Sequence, residues 1–378
     1  MDKIPRWADV ILIPLICLAL AFIAAGVVVA AIGENPFRAI TVMVKGAFGS
    51  TSGWGYTLYY ATNYIFTGLC VAVAFHARMF NIGGEGQAQI AGIGVALPLL
   101  LLPAWMMPHW SLSLVWAMLG AMIFGAGWAA IPAWLQAKRG SHIVITTIMF
   151  NLIAGAVMGY LLNGVLKSPS TQNAETVKFA ASAHLPSAHE MLAWVGIPFS
   201  RSAPLNFAFI LALLAAFLVW VLIWHTRMGY QMRVFGHSET GAKYAGISAV
   251  KITMVAMLIS GALAGLLAVN VVMGEQERLI RDFVGGAGFV GIAVSLMGRS
   301  HPVGIVLASI LFGALTQGGF ELLFEFNNRI SREMILVIQA LIILFTGALD
   351  NLVRYPLEAF FVRMGRKPGA AAKPELAK

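Results

Sequence analysis

The chain alternates long apolar runs with short polar breaks. Runs long enough to cross a bilayer as helices, about 20 mostly apolar residues each, lie near 10–32, 56–76, 82–102, 112–136, 142–163, 204–225, 252–272, 303–324 and 334–353. A tenth run, 286–298, is shorter and opens on glycines. The apolar residues are continuous rather than alternating, which is the pattern of helices and not of a lipid-facing β-barrel. The prediction is an all-α, polytopic integral membrane bundle of nine or ten transmembrane helices: nine full spans and one short or broken one. The transmembrane domain is placed at 1–362. The tail 363–378, basic and then rich in alanine, proline and lysine, is predicted to be disordered. The first run follows two cations and exceeds the roughly 7–15 apolar residues of a signal core, so it reads as a retained first span.

Two of the polar breaks are longer than turns. Residues 164–203 read either as a lid or docking surface, or as a solvated connector. Within 226–251, "GHSETGAKYAGI" predicts a short helix, with Ser238 as N-cap, Glu239 in the first turn and Gly246 as the stop. Small residues at Gly241, Ala242 and Ala245 leave one face low, which invites a soluble partner. With the amino terminus placed in the cytoplasm, alternating sides put most lysines and arginines inside, Arg78, Lys138, Arg139, Arg227, Arg233 and Arg299 among them. Both termini are then cytoplasmic, 164–203 is external and 226–251 is cytoplasmic. The run 286–298 must count as a crossing for the basic tail to fall on the same side.

Composition agrees with the pattern. Over 378 residues, 59% are hydrophobic, 11% are charged and the mean hydropathy is +0.82. A soluble protein carries about 25% charged residues, so a pair of soluble domains is excluded. The net charge of +9 sits in short loops between apolar runs, which argues for membrane orientation and against nucleic acid. Cys17 and Cys70 fall inside apolar runs without metal or redox spacing and read as packing residues.

No P-loop, H-E-x-x-H helix or G-x-S-x-G elbow occurs, and the eight histidines are scattered, so no metal or catalytic site is expected. "GGEGQA" has no strand before it and is not a dinucleotide fingerprint. No carboxylate falls at the centre of a span, so proton-driven transport lacks its usual machinery. If the chain is a pump, another polypeptide supplies the energy.

One stretch stands apart. "MFNIGGEGQAQIAGIGVAL" at 79–97 sets Glu85, Gln87 and Gln89 among glycines at the mouth of an apolar run. A helix starting there exposes free amides and the positive end of its dipole. Glu85 therefore reads either as a cap of its own helix or as part of an irregular element lining a solute path. "FVGGAGF" at 283–289 opens the short run from the opposite face. Two glycine-rich starts entering from opposite sides predict an inverted repeat, with a site where they meet. The candidate path residues are Asn81, Glu85, Gln87, Asn151, Asn163 and Gln317, with Phe289 as a stacking ring for a base or sugar. The competing role for each is an interhelical hydrogen bond or simple packing. Small-xxx-small pairs at Gly155/Gly159 and Gly261/Gly265 are expected to bring helices close.

These pieces are similar to a known family. "GAFGS" at 46–50, "FNIGGEGQ" at 80–87, "VITTIMFNLIAG" at 144–155, "GYQMRVFGHSETGAKYAGI" at 229–247, "ISGALAGLLA" at 259–268 and "GFVGIAVSLMGRSHPVGIVLASILFGAL" at 288–315 run in family order. Together they resemble the permease subunits of nucleoside and simple-sugar ABC importers, within the branched-chain amino acid/ribose permease superfamily. The resemblance implies a bacterial inner-membrane subunit that is not an enzyme and holds no cofactor, with ATP bound by a partner cytoplasmic ATPase. It also implies a second, shorter permease chain and an external solute-binding protein. The family's docking loop carries over onto Gly236, Ser238, Glu239, Ala242, Tyr244 and Gly246. The general importer pattern E-A-A-x-x-x-G is not matched: aligned on Gly246 it meets Thr240-Gly241-Ala242, with Glu239 one place early. The alternatives are a stand-alone secondary transporter or facilitator, and a membrane enzyme acting on lipid-linked substrates.

Overall fold

A computed structural model describes residues 12–326 and separate positions between 334 and 357. The expected tail 363–378 lies outside the described residues, and so does most of the expected span 334–353. The helices are α1 (Ile13–Ala31), α2 (Pro36–Phe48), α3 (Thr51–His76), α4 (Gly84–Leu101), α5 (Trp110–Arg139), α6 (Ile143–Asn163) and α7 (Ala188–Ala193). They continue as α8 (Ala208–His225), α9 (Arg227–His237), α10 (Glu239–Tyr244), α11 (Ala249–Ala268), α12 (Ala287–Met297) and α13 (Pro302–Glu325). A π-helical turn, Val269–Glu275, prolongs α11. Among the described residues there is no β-strand, only two isolated bridges. The all-α membrane bundle is therefore the fold.

The count of full spans is lower than the runs predict. Among the described residues six helices are long and apolar enough to cross a membrane, or seven if the bent pair α1–α2 is one span. Of the nine full spans expected, 334–353 lies mostly outside the described residues, 10–32 belongs to that bent pair, and α4 is not among the six; the run 286–298 is short, as its sequence predicts. α12 has 11 residues, about 16 Å at 1.5 Å per residue, half of a hydrocarbon core of about 30 Å. α4 begins beside Cys70 of α3, six residues short of that helix's end. Both helices start inside the bundle rather than at a face. α2 was not foreseen from apolar runs, because Arg38 and Lys45 interrupt its amphipathic pattern.

The described residues form two compact units, 42–321 and 12–41 with the described positions from 322 to 357. In the first, α3 is the central helix, and 83% of its apolar window is buried. α11 with its π turn is next, at 72%, while α5, α6 and α8 bury only 28%, 22% and 33% and present apolar faces outward. Lipid tails supply no hydrophobic drive between helices, so close packing and interhelical hydrogen bonds must hold the core. α5 meets α11 where Gly125 faces Gly261, and Gly265 faces the Ala121 carbonyl, too close to admit a side chain. The expected Gly155/Gly159 contact does not form: nothing lies within 4 Å of a Cβ built at Gly159, and only the Gln89 side chain approaches Gly155.

The two ends of this unit differ. At one end His76 Nε2 meets the Ser300 carbonyl at 3.1 Å, and the Trp224 ring packs between His76 and His301. At the other, residues 175–179 of the segment 164–203 are laced to the segment after the π turn. Glu175 bridges Ile280, and the amides of Thr176 and Phe179 donate to the carbonyls of Leu279 and Glu277 at 3.0 and 2.8 Å. Arg278 pairs with Glu175 at 2.9 Å and Lys178 with Glu277 at 3.2 Å. In the second unit Ile13 and Cys17 of α1 pack with Val353, and Arg38 pairs with Glu325 at 2.8 Å.

Candidate functional site

After α3 the chain turns back into the bundle. Arg78 takes a left-handed conformation (φ 57°), and residues 79–83 climb beside α3 to the start of α4. Asn81 anchors this segment and is 1% exposed. Its Oδ1 accepts from the Gly83 amide at 2.8 Å and from Gln87 Nε2 at 3.2 Å. Its Nδ2 donates to Gln87 Oε1 at 3.0 Å and to Ser260 Oγ at 2.8 Å. Ser260 Oγ in turn donates to the Cys70 carbonyl at 2.7 Å. Cys70 therefore sits inside a polar cluster instead of serving as apolar filling. The side-chain amides of Asn81 and Gln87 are paired, which matters because an unpaired polar group in an apolar interior costs about 1–3 kcal/mol.

One free amide at the start of α4 is satisfied from another helix. Asn151 of α6 accepts from the Gly86 amide at 2.9 Å and donates to the Ile82 carbonyl at 2.9 Å. Glu85 does not cap its own helix, which corrects the first of the two roles its sequence allowed. Its carboxylate reaches across to α12, where Oε1 accepts from the Gly286 amide at 2.9 Å and Oε2 from the Gly288 amide at 2.8 Å. The helices come this close because Gly288 has no side chain: a Cβ there would overlap the backbone of Glu85. Glu85 is 9% exposed, and no lysine or arginine pairs with it among the described residues. Its charge is answered by two peptide amides and by the positive ends of two helix dipoles. The two glycine-rich starts meet at this carboxylate.

A second polar layer escaped the sequence reading. Asn270, in the π turn, donates to Asn63 Oδ1 at 2.8 Å and accepts from Asn206 Nδ2 at 2.9 Å. This ladder ties α3 to α11 and to the chain before α8. Tyr59 Oη donates to the carboxylate of Glu275 at the end of the same turn. Lone asparagines inside apolar runs, Asn63 and Asn270, were the available signal, since such residues are costly in lipid.

The remaining candidates divide. Phe289 is half-exposed in the first turn of α12, one residue from the Glu85 contact. Asn163 lies exposed at the end of α6 and donates to the Gly159 carbonyl at 2.8 Å, apart from the cluster. Gln317 is buried on α13 beside Thr316, whose hydroxyl meets Tyr64 Oη at 3.0 Å. Gln89 leaves its amide oxygen buried without a hydrogen-bond partner.

The loop 226–251 holds α9 and α10. Ser238 Oγ accepts from the Gly241 amide at 3.0 Å, and Glu239 pairs with Lys243 at 2.9 Å on an exposed face. The helix closes with Gly246 at φ 75°, its amide donating to Lys243 and that of Ile247 to the Ala242 carbonyl, which is a Schellman end. Ala242 is buried, whereas Tyr244 is 91% exposed. Gly236 packs α9 onto the backbone of His76–Arg78, where a Cβ would overlap the His76 carbonyl. The exposed short helix is thereby joined to the segment that carries Asn81 and Glu85.

Comparison with known proteins agrees with this architecture. The family described as branched-chain amino acid transport system / permease component matches residues 53–347. The chain is 33% identical over 339 residues to the guanosine ABC transporter permease protein NupP of Bacillus subtilis, covering 89% of this chain and 93% of that one. It is 30% identical over 366 residues to a glucose ABC transporter permease protein of Haloferax volcanii, covering 95% and 93%. It is also 30% identical over 341 residues to the nucleoside ABC transporter permease protein NupB of Lactococcus lactis, covering 89% and 90%.

Proposed function

The chain belongs to the family of branched-chain amino acid transport system permease components, and from that membership we propose that it forms the translocation pathway of an ATP-driven ABC importer for a nucleoside or simple sugar. A stand-alone facilitator is not favoured, because the relatives are ABC transporter permeases. ATP is bound and hydrolysed by a separate cytoplasmic ATPase, and this chain needs no cofactor. An external solute-binding protein delivers the solute, and a second, shorter permease chain completes the pathway. The assembly sits in a bacterial inner membrane with both termini of this chain in the cytoplasm.

The observation that carries the mechanism is the seating of Gly236 on His76–Arg78. The ATPase engages α10 through Ser238, Glu239 and Tyr244. Movement of α10 passes through α9 to residues 77–83 and so to the paired starts of α4 and α12. Glu85 holds these starts together in one state, and ATP binding biases the equilibrium toward the state in which they part. The freed amides of Gly286 and Gly288 then face the pathway, where Asn81, Gln87 and Asn151 lie close by and Phe289 offers a ring face to a base or sugar. Asn163 and Gln317 keep a place in the pathway only if the second permease chain brings them to it.

The test is mild-detergent purification of the tagged chain from its native membrane, with mass spectrometry of what accompanies it, and uptake of labelled guanosine and glucose by cells with and without the chain. The expected result is an ATPase with Walker motifs, a shorter multi-span chain and uptake that needs ATP. A chain recovered alone that still carries solute without ATP overturns the proposal.

A further inference from the structure

A cavity of about 650 Å³ opens at the end of the 42–321 unit where α3, α8, α9 and α12 finish. One wall is apolar, made by Phe75, Phe80, Trp224 and Leu296. The lining also carries Arg78, Arg233 and Arg299 with His76, His237 and Ser300, and no acidic side chain lines the space. Among the described residues Arg78 and Arg233 make no ion pair, and Arg233 Nε is buried with no hydrogen-bond partner. The guanidinium groups of Arg78 and Arg233 are therefore not spent on ion pairs with neighbouring side chains. Arg78 and Arg299 both stand on left-handed backbone, at φ 57° and 52°. Such a conformation is uncommon for a non-glycine residue, and with Ser300 at φ 54° the fold retains it three times around one cavity. Phe75 and Leu296 are 45% and 46% exposed, so the apolar wall continues onto the outer surface.

Cations beside an exposed apolar wall suit a ligand with an anionic head and hydrocarbon tails. We propose that this cavity binds an anionic phospholipid, its phosphate between Arg78, Arg233 and Arg299 and its acyl chains along Phe75 and Leu296. Arginine is suited to phosphate oxygens through its planar fork of donors. A free phosphate, or an acidic side chain of a docked protein, would use the same arginines but would gain nothing from the apolar lining. The assignment depends on the chain lying in a bilayer and not on the importer reading.

The full-length chain is placed in nanodiscs of phosphatidylcholine alone or with one-quarter phosphatidylglycerol. It is then released into detergent, and retained lipid is read by native mass spectrometry. The wild type is expected to hold phosphatidylglycerol in preference to phosphatidylcholine. The double variant Arg78→Gln/Arg233→Gln should lose that preference by roughly tenfold or more, each basic group near a membrane surface being worth about 1 kcal/mol. Arg233→Lys should keep most of it. The same charge change elsewhere, Lys138→Gln/Arg139→Gln, should leave it alone.

Equal retention of the two lipids by the wild type overturns the proposal whether or not any variant folds, and leaves the cavity to a protein partner's acidic residue. An equal loss in the Lys138/Arg139 control reduces the effect to net charge and also overturns it. Displacement of the lipid by inorganic phosphate, but not by chloride at the same ionic strength, makes this a free-anion site and overturns the lipid assignment.

Discussion

Glu85 shows how one side chain can hold two helices. Its two oxygens take one amide each from Gly286 and Gly288, so the pairing needs both lone-pair faces and the full charge. In Glu85→Gln, one oxygen becomes an NH₂ group that opposes a buried N–H. The loss should be about 1–3 kcal/mol, the usual cost of stranding a buried donor, read as a lower denaturation midpoint of the purified chain. An unchanged midpoint would remove the carboxylate bridge from the account. Asn270→Leu makes a parallel case, because Asn63 Oδ1 and Asn206 Nδ2 both lose a partner. Buried amide contacts in membrane proteins are individually modest, so about 1–2 kcal/mol is expected, and the same melting experiment measures it.

At the scale of elements, the decisive feature is where helices begin. α4 and α12 start inside the bundle, and irregular backbone at that depth is tolerated only when protein or a cavity surrounds it. The segment 79–83 satisfies this rule through Asn81 and Asn151. The packing of α5 on α11 gives a paired prediction. Gly265→Ala should cost about 1–3 kcal/mol, because the new methyl overlaps the Ala121 carbonyl. Gly159→Ala should be neutral or stabilising by up to about 1 kcal/mol, since nothing lies within 4 Å and alanine favours helix. Thermal unfolding of both variants side by side checks the contrast; similar melting temperatures would contradict the close α5–α11 contact.

For the whole molecule, transport requires a connection from a surface helix to the interior, and the seat of Gly236 on His76–Arg78 provides one. Glu239→Lys reverses the charge of an exposed residue that, among the described residues, pairs with Lys243 one turn away. An exposed pair of this kind contributes little to stability, about 0.3–0.5 kcal/mol. The variant should therefore reach the membrane folded and fail in ATP-driven uptake. Normal uptake, with expression equal to wild type, would show that α10 is not the coupling element.

The membrane class, the all-helical fold and the boundaries of most long helices were legible from apolar runs alone, since a chain without water must satisfy its backbone within helices. The short helix at 239–244, with its Ser238 cap and Gly246 stop, was equally legible, because capping is decided by neighbouring residues. The motif order from 46 to 315 was enough to indicate the family. What the sequence left open was every question of depth and partner. An apolar run has the same composition whether it starts at the membrane face or halfway through, so 82–102 reads from its composition as a full span. Glu85 was expected near its own amides, but these are taken by Asn151 and by the Asn81 turn. The amides it does meet lie about 200 residues further along the chain. The α5–α11 contact and the Asn63–Asn270–Asn206 ladder are likewise pairings between distant segments. Local pattern sets which segments become helices; only tertiary packing decides which polar groups come within 3 Å of each other.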